Sequence, residues 1–158
     1  MITIKKASSK DLMKIFQFLK MVGKDLPSPY FRIDRKIDNI KVFVRLMKHL
    51  FLNPLQKIAN YSTIIWLAED YDGVKGIAVI GISNKRVLLH DIYIIGNYRR
   101  KGIGSKLIKV VIDFSTRGDY VLGLFVEKDN ISAINFYKKH GFKVISFNNA
   151  SIYMEYKM

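Results

Sequence analysis

Residues 97–108 read NYRRKGIGSKLI, and they place three consecutive basic side chains before two glycines and the start of a predicted helix. The preceding run VLLHDIYII (87–95) predicts a strand, so the glycines lie in a strand-to-helix turn. Gly102 and Gly104 lack a Cβ atom, which lets the backbone approach a ligand closely. The first N–H groups of a helix and its positive dipole end favour an anion. The stretch therefore predicts a phosphate-binding turn.

Two common phosphate-binding motifs fit this turn poorly. A nucleoside triphosphate loop has the pattern Gly-x4-Gly-Lys-Ser/Thr, whereas Gly104 is followed by Ser105 and Lys106 at the wrong spacing. A dinucleotide-binding turn has a third glycine, which permits close helix–strand packing, where this chain has Leu107. Glu127 ends the next strand, as a ribose-binding acid would, but too few residues follow it to complete a dinucleotide-binding domain. Both motifs are therefore disfavoured.

The segments at the start of the chain predict a strand and two helices. ITIKKA (2–7) predicts a short strand, and Ser8 with Asp11 fits a capping box at a helix start. The helix that follows carries an apolar stripe at helical spacing, formed by Leu12, Ile15, Phe16, Leu19 and Val22. A second helix is predicted from Ile33 to Phe51, with basic flanks formed by Arg32, Arg35, Lys36, Lys41, Arg45 and Lys48. These flanks are either a groove for an anionic partner or, as is more common, a solvated face.

Strands dominate the remainder of the chain. STIIWLAED (62–70), GIAVIGIS (76–83) and residues 87–95 predict an antiparallel meander. A helix from Gly102 to Ser115 connects strand 87–95 to strand 120–127 in a β-α-β crossover, so these two strands should be parallel. A helix over 131–140 and two strands, FKVISF and SIYMEYK, follow. We therefore predict an α/β (α+β) fold with a mixed, largely antiparallel sheet of about seven strands and about four helices.

The composition is that of one globular domain with a basic surface. The 158 residues suit a single domain (1–158), with 49% hydrophobic and 25% charged residues. The net charge of +14 indicates either an anionic partner such as nucleic acid or a lysine-rich soluble surface. The absence of cysteine excludes disulfides, a thiol nucleophile and a cysteine-based metal site, and no metal is predicted. No long apolar run or signal-peptide core is present, so a cytoplasmic location without a membrane partner is predicted.

Taken together, the motifs resemble the GNAT family of N-acetyltransferases. The family's pyrophosphate signature is Arg/Gln-x-x-Gly-x-Gly/Ala, and RRKGIG (99–104) matches it. LFVEKDNISAINFYKKHGF (124–142) resembles the family's next motif. The resemblance covers about residues 61–145 and is loosely nearest the diamine acetyltransferase-like branch. It implies that strands 87–95 and 120–127 splay apart to admit the pantetheine arm of acetyl-CoA as co-substrate.

The resemblance also implies a set of cofactor-binding residues. Backbone groups near 92–94 would pair with the arm as an added strand does, and N–H groups from Arg100 through Ser105 would hold the pyrophosphate. Asn130 would lie beside the cofactor, although it could equally be a helix N-cap. The implied set is Ile92, Tyr93, Ile94, Arg99, Arg100, Lys101, Gly102, Ile103, Gly104, Ser105, Asn130, Ala133, Phe136 and Tyr137.

The resemblance assigns one catalytic role and leaves another open. Tyr137 matches the family's general acid, which protonates the leaving thiolate, although it could merely pack a helix on the sheet. The base that takes the amine proton is sought among His90, Asp91 and Glu127, with Glu69 more distant, and a water relay could replace all of them. Regular alternation along a strand would place His90 and Asp91 on opposite faces.

Two classes of function remain for this chain. The first is an enzyme that transfers acetyl from acetyl-CoA to the primary amine of a small molecule, a polyamine or a protein, acting as a monomer or homodimer. The second is a catalytically silent acyl-CoA sensor or a nucleic-acid-binding module that uses the basic surface. Nucleic-acid binding would weaken steeply with salt.

Overall fold

A computed structural model describes residues 1–22 and 61–157. In chain order its helices and strands are β1 (Thr3–Lys6), α1 (Leu12–Val22), β2 (Tyr61–Asp70), β3 (Gly73–Ser83), β4 (Arg86–Ile94), α2 (Ile103–Arg117), β5 (Val121–Glu127), α3 (Ile131–Lys139), β6 (Phe142–Phe147) and β7 (Ser151–Tyr156). The helix predicted over 33–51 and its basic flanks lie outside the described residues. None of the helices within 1–22 and 61–157 is long and apolar enough to cross a membrane.

The seven strands form one mixed sheet. Their spatial order is β1-β2-β3-β4-β5-β7-β6. The β4–β5 pair is parallel, and every other neighbouring pair is antiparallel. Helix α2 makes the crossover between β4 and β5, as the sequence predicts. The predicted fold class is confirmed, with three α-helices in the described parts of the chain.

The helices cover both faces of the sheet. Successive residues of β2 point to opposite faces, so Leu67 packs with α1 while Trp66 packs against Phe114 of α2. Four side chains at helical spacing bury the inner face of α1, namely Ile15, Phe18, Leu19 and Val22. Phe18 is buried where Phe16, the residue in the predicted stripe, is only half-buried. Burying each such side chain contributes about 1.5–3 kcal/mol.

The capping box predicted before α1 is present. Asp11 accepts hydrogen bonds from the Ser8 backbone N–H at 3.0 Å and from the Ser8 hydroxyl at 2.9 Å. Lys5 on β1 donates to the same carboxylate at 2.7 Å and also contacts Glu69 on β2 at 2.8 Å. Lys14 completes the group with a 3.1 Å contact to Glu69. These ion pairs join β1 and α1 to β2.

The parallel strand pair separates along its length. The β4–β5 ladder begins at Arg86 with Val121 and ends at Leu89 with Leu124. Beyond that point β4 continues to Ile94 and remains paired with β3, while β5 continues and remains paired with β7. The splay implied by the family resemblance is therefore present, and it opens a wedge inside the sheet.

A β-bulge lies where the wedge begins. Leu89 pairs with Ile80 and Asp91 pairs with Val79, so His90 is an extra residue on β4. Such a bulge bends the strand and changes which side chains share a face.

Burial on either side of the bulge shows this change of face. Leu89 packs with α2 and α3, whereas Tyr93 packs with α1. In a regular strand these two residues, four apart, would share a face. The expectation that regular alternation separates His90 from Asp91 therefore does not hold.

Candidate active site

A cavity of about 1400 Å³ occupies the wedge between the diverging strands. Its walls are residues 88–94 of β4, residues 125–127 of β5, the glycine turn with the start of α2, and one side of α3. The cavity is thus bounded by strand backbone on two sides and by a helix N-terminus at one end. This shape suits an extended ligand that carries a terminal anion.

The glycine turn presents backbone donors to this cavity. Arg100 has φ of 61° and Gly102 has φ of 76°, so the backbone winds through left-handed conformations. Gly102 is the N-cap of α2, and no side chain caps the helix there. The Lys106 N–H donates to the Gly102 carbonyl at 3.1 Å. The N–H groups of residues 103–105 therefore precede the helical ladder and suit an anion.

The sequence pattern of α2 also decides against a dinucleotide turn. Leu107 stands where that motif has its third glycine, and it is fully buried in the core. Gly104 faces α3 instead, because a Cβ built there would lie 3.4 Å from the Phe136 ring. The two glycines serve the turn and the contact between α2 and α3.

The three basic side chains of the turn make different contacts, and only two of them line the cavity. Arg99 donates from Nε to the Ile94 carbonyl at 3.0 Å, and its guanidinium lies 5.3 Å from the Tyr93 ring centroid. Arg99 and Arg100 both line the cavity. The Lys101 ammonium instead lies 5.1 Å from the Tyr98 ring centroid and is not part of the wall.

Asn130 lies at the opposite wall and caps α3. Its side-chain oxygen accepts the Ala133 backbone N–H at 3.0 Å. The N-cap alternative is therefore confirmed. Asn130 and Ala133 also line the cavity, so the cap places the Asn130 amide NH₂ group at the site.

Tyr137 and Asp91 form the buried pair of the cavity. The Tyr137 side chain on α3 is 8% exposed and Asp91 on β4 is 6% exposed. Burial and, second, the negative charge of Asp91 raise the pKa of the Tyr137 phenol well above its ordinary value. The phenol is therefore protonated at neutral pH and available as a hydrogen-bond donor.

Of the acids and bases predicted from the sequence, three line the cavity and one does not. His90, Asp91 and Glu127 all line the cavity, with His90 half-buried at the bulge and Glu127 exposed at the end of β5. Glu69 is bound to Lys5 and Lys14 at the β1–β2 edge and is not part of the cavity wall. No cluster of three His, Asp or Glu side chains suited to a metal occurs in residues 1–22 and 61–157.

The structure brings most of the implied cofactor set together. Of that set, the residues that line the cavity are Ile92, Tyr93, Ile94, Arg99, Arg100, Gly102, Gly104, Ser105, Asn130, Ala133, Phe136 and Tyr137. Lys101 and Ile103 are not part of the wall, and the Ile103 side chain is buried in the core.

Sequence reasoning missed several residues of the wall, and His140 is the most informative of them. His140 lines the cavity together with Tyr98, Asn135 and Lys139. Its Nδ1 lies 2.8 Å from the Phe136 carbonyl oxygen, and its Nε2 lies 3.0 Å from the Ser105 hydroxyl. The available signal was a histidine directly before Gly141, which ends α3 with φ of 90°. Its contact with Ser105 spans 35 residues and has no local sequence signature.

Comparison with known proteins places this geometry in a family. Residues 27–142 match the model of the acetyltransferase (GNAT) family. Two relatives are streptothricin acetyltransferases, one from Streptomyces lavendulae (33% identical over 95 residues) and one from Bacillus subtilis (38% over 61 residues). The matches cover 58% and 37% of this chain but only 50% and 35% of those relatives.

A solved structure extends the likeness over the whole chain. The PaiA N-acetyltransferase from Thermoplasma acidophilum, in complex with coenzyme A, superposes with a TM-score of 0.72. The alignment covers 100% of this chain and 99% of that protein at 23% identity, which shows a shared fold. The family model covers well over half of the sequence, and the splayed strands and glycine turn are those that the family resemblance implies. The chain therefore belongs to the GNAT acetyltransferase family.

Proposed function

We propose that the chain is an acetyl-CoA-dependent N-acetyltransferase that uses the wedge as its active site. The observation that carries the proposal is that the β4–β5 ladder ends at Leu89 and Leu124, and that one cavity extends from there to the glycine turn. An extended arm can enter between the strands while its phosphates meet the N-terminus of α2. Family membership supports the same function, and the PaiA relative is a complex with coenzyme A.

The residues that line the cavity indicate how it would contact the cofactor. Backbone groups of residues 92–94 pair with the amides of the pantetheine arm as a further strand would. The N–H groups of residues 103–105, with Arg99 and Arg100 nearby, hold the pyrophosphate. Asn130 donates its amide to the arm while its oxygen caps α3.

The proposed reaction is direct attack within one ternary complex. The neutral amine forms a C–N bond to the thioester carbonyl carbon, and an N–H group on the splayed part of β4 binds the developing oxyanion. The C–S bond then breaks, a base takes the proton from nitrogen, and the thiolate sulfur gains a proton. No acyl-enzyme forms, and the chain contains no cysteine to form a thioester.

Tyr137 is the proposed general acid. Its phenol is buried beside Asp91, and its raised pKa keeps the proton in place until sulfur becomes negative. A thiol has an ordinary pKa near ~8.5, so complete transfer from the phenol is uphill. The phenol therefore acts first as a hydrogen-bond donor to the forming thiolate, and the proton reaches sulfur late in the step.

The proposed base is one of the two cavity groups nearer solvent. Asp91 is deeply buried beside Tyr137, where its charge acts on the phenol. His90 and Glu127 line the open part of the wedge instead. A histidine base makes kcat/KM rise with pH around ~6.5, and a carboxylate base around ~4.3. Comparing His90→Gln with Glu127→Gln across pH 4–9 identifies the variant that removes this rise.

The acceptor amine is tested by measuring thiol release from acetyl-CoA against a panel. Streptothricin is the first acceptor to test, because two relatives carry its name. Polyamines and peptides with free amino termini or lysines complete the panel. Mass spectrometry of the product should show one added acetyl group, with thiol released in equal amount. Tight coenzyme A binding without acetylation of any amine would contradict the transferase proposal and favour an acyl-CoA sensor.

A further inference from the structure

His140 connects the two helices that border the anion end of the cavity. It is the C-cap residue of α3, and its ring lies 4.4 Å from the Phe136 ring, centroid to centroid. Through Nε2 it reaches the Ser105 hydroxyl in the first turn of α2. Ser105 and His140 both line the cavity.

The protonation of His140 determines which way the Ser105 hydroxyl donates. The Phe136 carbonyl oxygen can only accept, so Nδ1 of His140 must carry a hydrogen. In the neutral ring Nε2 is then an acceptor, and the Ser105 O–H donates to it. In the charged ring Nε2–H donates to the Ser105 oxygen instead. The hydroxyl hydrogen is then released to donate to an anion at the N-terminus of α2.

We infer that His140 is a positioning residue for the pyrophosphate of the cofactor: its protonated form turns the Ser105 hydroxyl toward the anion and completes the ring of donors around it. The inference rests on the proposed function, because it places the cofactor's phosphates at the glycine turn. Binding of the anion is then coupled to the uptake of one proton by His140.

Several charged groups lie on the segments that meet at His140. The cations are Arg100, Lys101 and Lys106 at the glycine turn, Lys138 and Lys139 on α3, and Lys143 on β6. The other titratable groups are Tyr137 on α3 and Glu127 on the cavity wall. A bound pyrophosphate adds two negative charges at the glycine turn, and these charges favour the protonated ring of His140.

The test is calorimetric titration with dephospho-CoA between pH 5.5 and 8.5. This ligand lacks the terminal phosphate that itself titrates near ~6, so proton uptake reports on the protein. Repeating each titration in buffers of different ionisation enthalpy counts the protons bound. We expect wild-type protein to take up a substantial part of one proton near pH 7. His140→Gln should abolish this uptake, and uptake that persists in His140→Gln would assign the proton to another group and overturn the inference.

Ser105→Ala is the second variant, and it removes the hydroxyl of an exposed side chain. It should weaken dephospho-CoA binding about tenfold at pH 5.5, where the hydroxyl donates to the anion. At pH 8.5 it should change affinity less than twofold, because there the hydroxyl donates to His140. In the His140→Gln background, the effect of Ser105→Ala should no longer depend on pH. Circular dichroism checks that each variant is folded.

The outcomes separate this inference from the function on which it rests. Dephospho-CoA binding without proton uptake, or an equal effect of Ser105→Ala at both pH values, would overturn the role of His140 and leave the transferase proposal intact. Failure of the wild-type protein to bind either dephospho-CoA or coenzyme A at any pH would contradict the proposed function itself.

Discussion

At the scale of single residues, Tyr137 is the proposed general acid. Its ring packs against Phe142 and Phe136, with centroids 5.7 and 5.4 Å away, so its position is set by the core. Tyr137 lines the cavity, and the negative charge of Asp91 raises the pKa of its phenol. Replacing the hydroxyl by hydrogen removes the donor and leaves the packing in place.

Tyr137→Phe should lower kcat about 100-fold and change KM for acetyl-CoA little, because the lost donor acts on the leaving sulfur. Since burial raises the pKa of Tyr137 above its ordinary value near ~10, the wild-type rate should not fall from loss of this proton at any pH below about 10. Steady-state kinetics from pH 6 to 10 measures both effects. The control is Tyr71→Phe, which alters a fully exposed ring. Unchanged turnover in Tyr137→Phe would remove Tyr137 from the mechanism.

At the scale of elements, the site depends on where helices begin and where strand pairing stops. The capping box at Ser8, the glycine turn and the start of α3 at Asn130 were predictable, because each is a local pattern of neighbouring residues. The bulge at His90 was not predictable, since it is defined only by pairing with β3. The contact between His140 and Ser105 likewise depends on how α2 and α3 pack.

Asn130 combines a helix cap with a place on the cavity wall, and two substitutions separate these roles. Asn130→Ala should lower the free energy of unfolding by about 1 kcal/mol, because the Ala133 N–H loses its acceptor. Asn130→Ser should restore most of that stability, since serine also caps helices. Both variants should bind coenzyme A more weakly if the amide contacts the cofactor. Urea unfolding and calorimetry measure the two effects, and wild-type affinity in Asn130→Ser would leave only the cap.

At the scale of the whole molecule, the net positive charge favours anionic ligands, while a cluster of ion pairs joins β1 and α1 to β2. The sequence carries a net charge of +14, and Arg99 and Arg100 stand at the anion end of the cavity. Such a field speeds the arrival of an anionic cofactor and weakens with salt. The predicted sheet and its parallel pair followed from hydrophobic runs along the chain. The ion-pair cluster of Lys5, Asp11, Lys14 and Glu69 did not, because Glu69 is 55 positions from Lys14 and 64 positions from Lys5 along the chain.

Asp11 gives this cluster a pH dependence of stability. The hydrogen bond from Lys5 is the main factor that lowers the pKa of Asp11, to about 2, so the charged form is favoured in the folded state. Its stabilisation is therefore present above the ordinary pKa near ~3.9 and is lost as pH falls toward 2. Asp11→Asn should lower the free energy of unfolding by about 1–2 kcal/mol at pH 7 and by less at pH 3. Urea unfolding at both pH values measures the difference.

The control for this prediction is Asp119→Asn. Asp119 forms a fully exposed pair with Lys85 at 3.9 Å, and its φ of 52° suits asparagine equally well. Its substitution should change stability by less than about 0.5 kcal/mol. An Asp11→Asn effect as small as that of the control, or equal at pH 7 and pH 3, would contradict the assigned role of the cluster.

The most direct test of the central claim is a crystal structure of the chain with coenzyme A. We expect the pantetheine arm between residues 90–94 of β4 and 125–127 of β5, where the ladder has ended. We expect the pyrophosphate against the N–H groups of residues 103–105, and the sulfur within hydrogen-bonding reach of the Tyr137 hydroxyl. Coenzyme A bound outside the wedge, or inside it with its phosphates away from the glycine turn, would contradict the proposed active site.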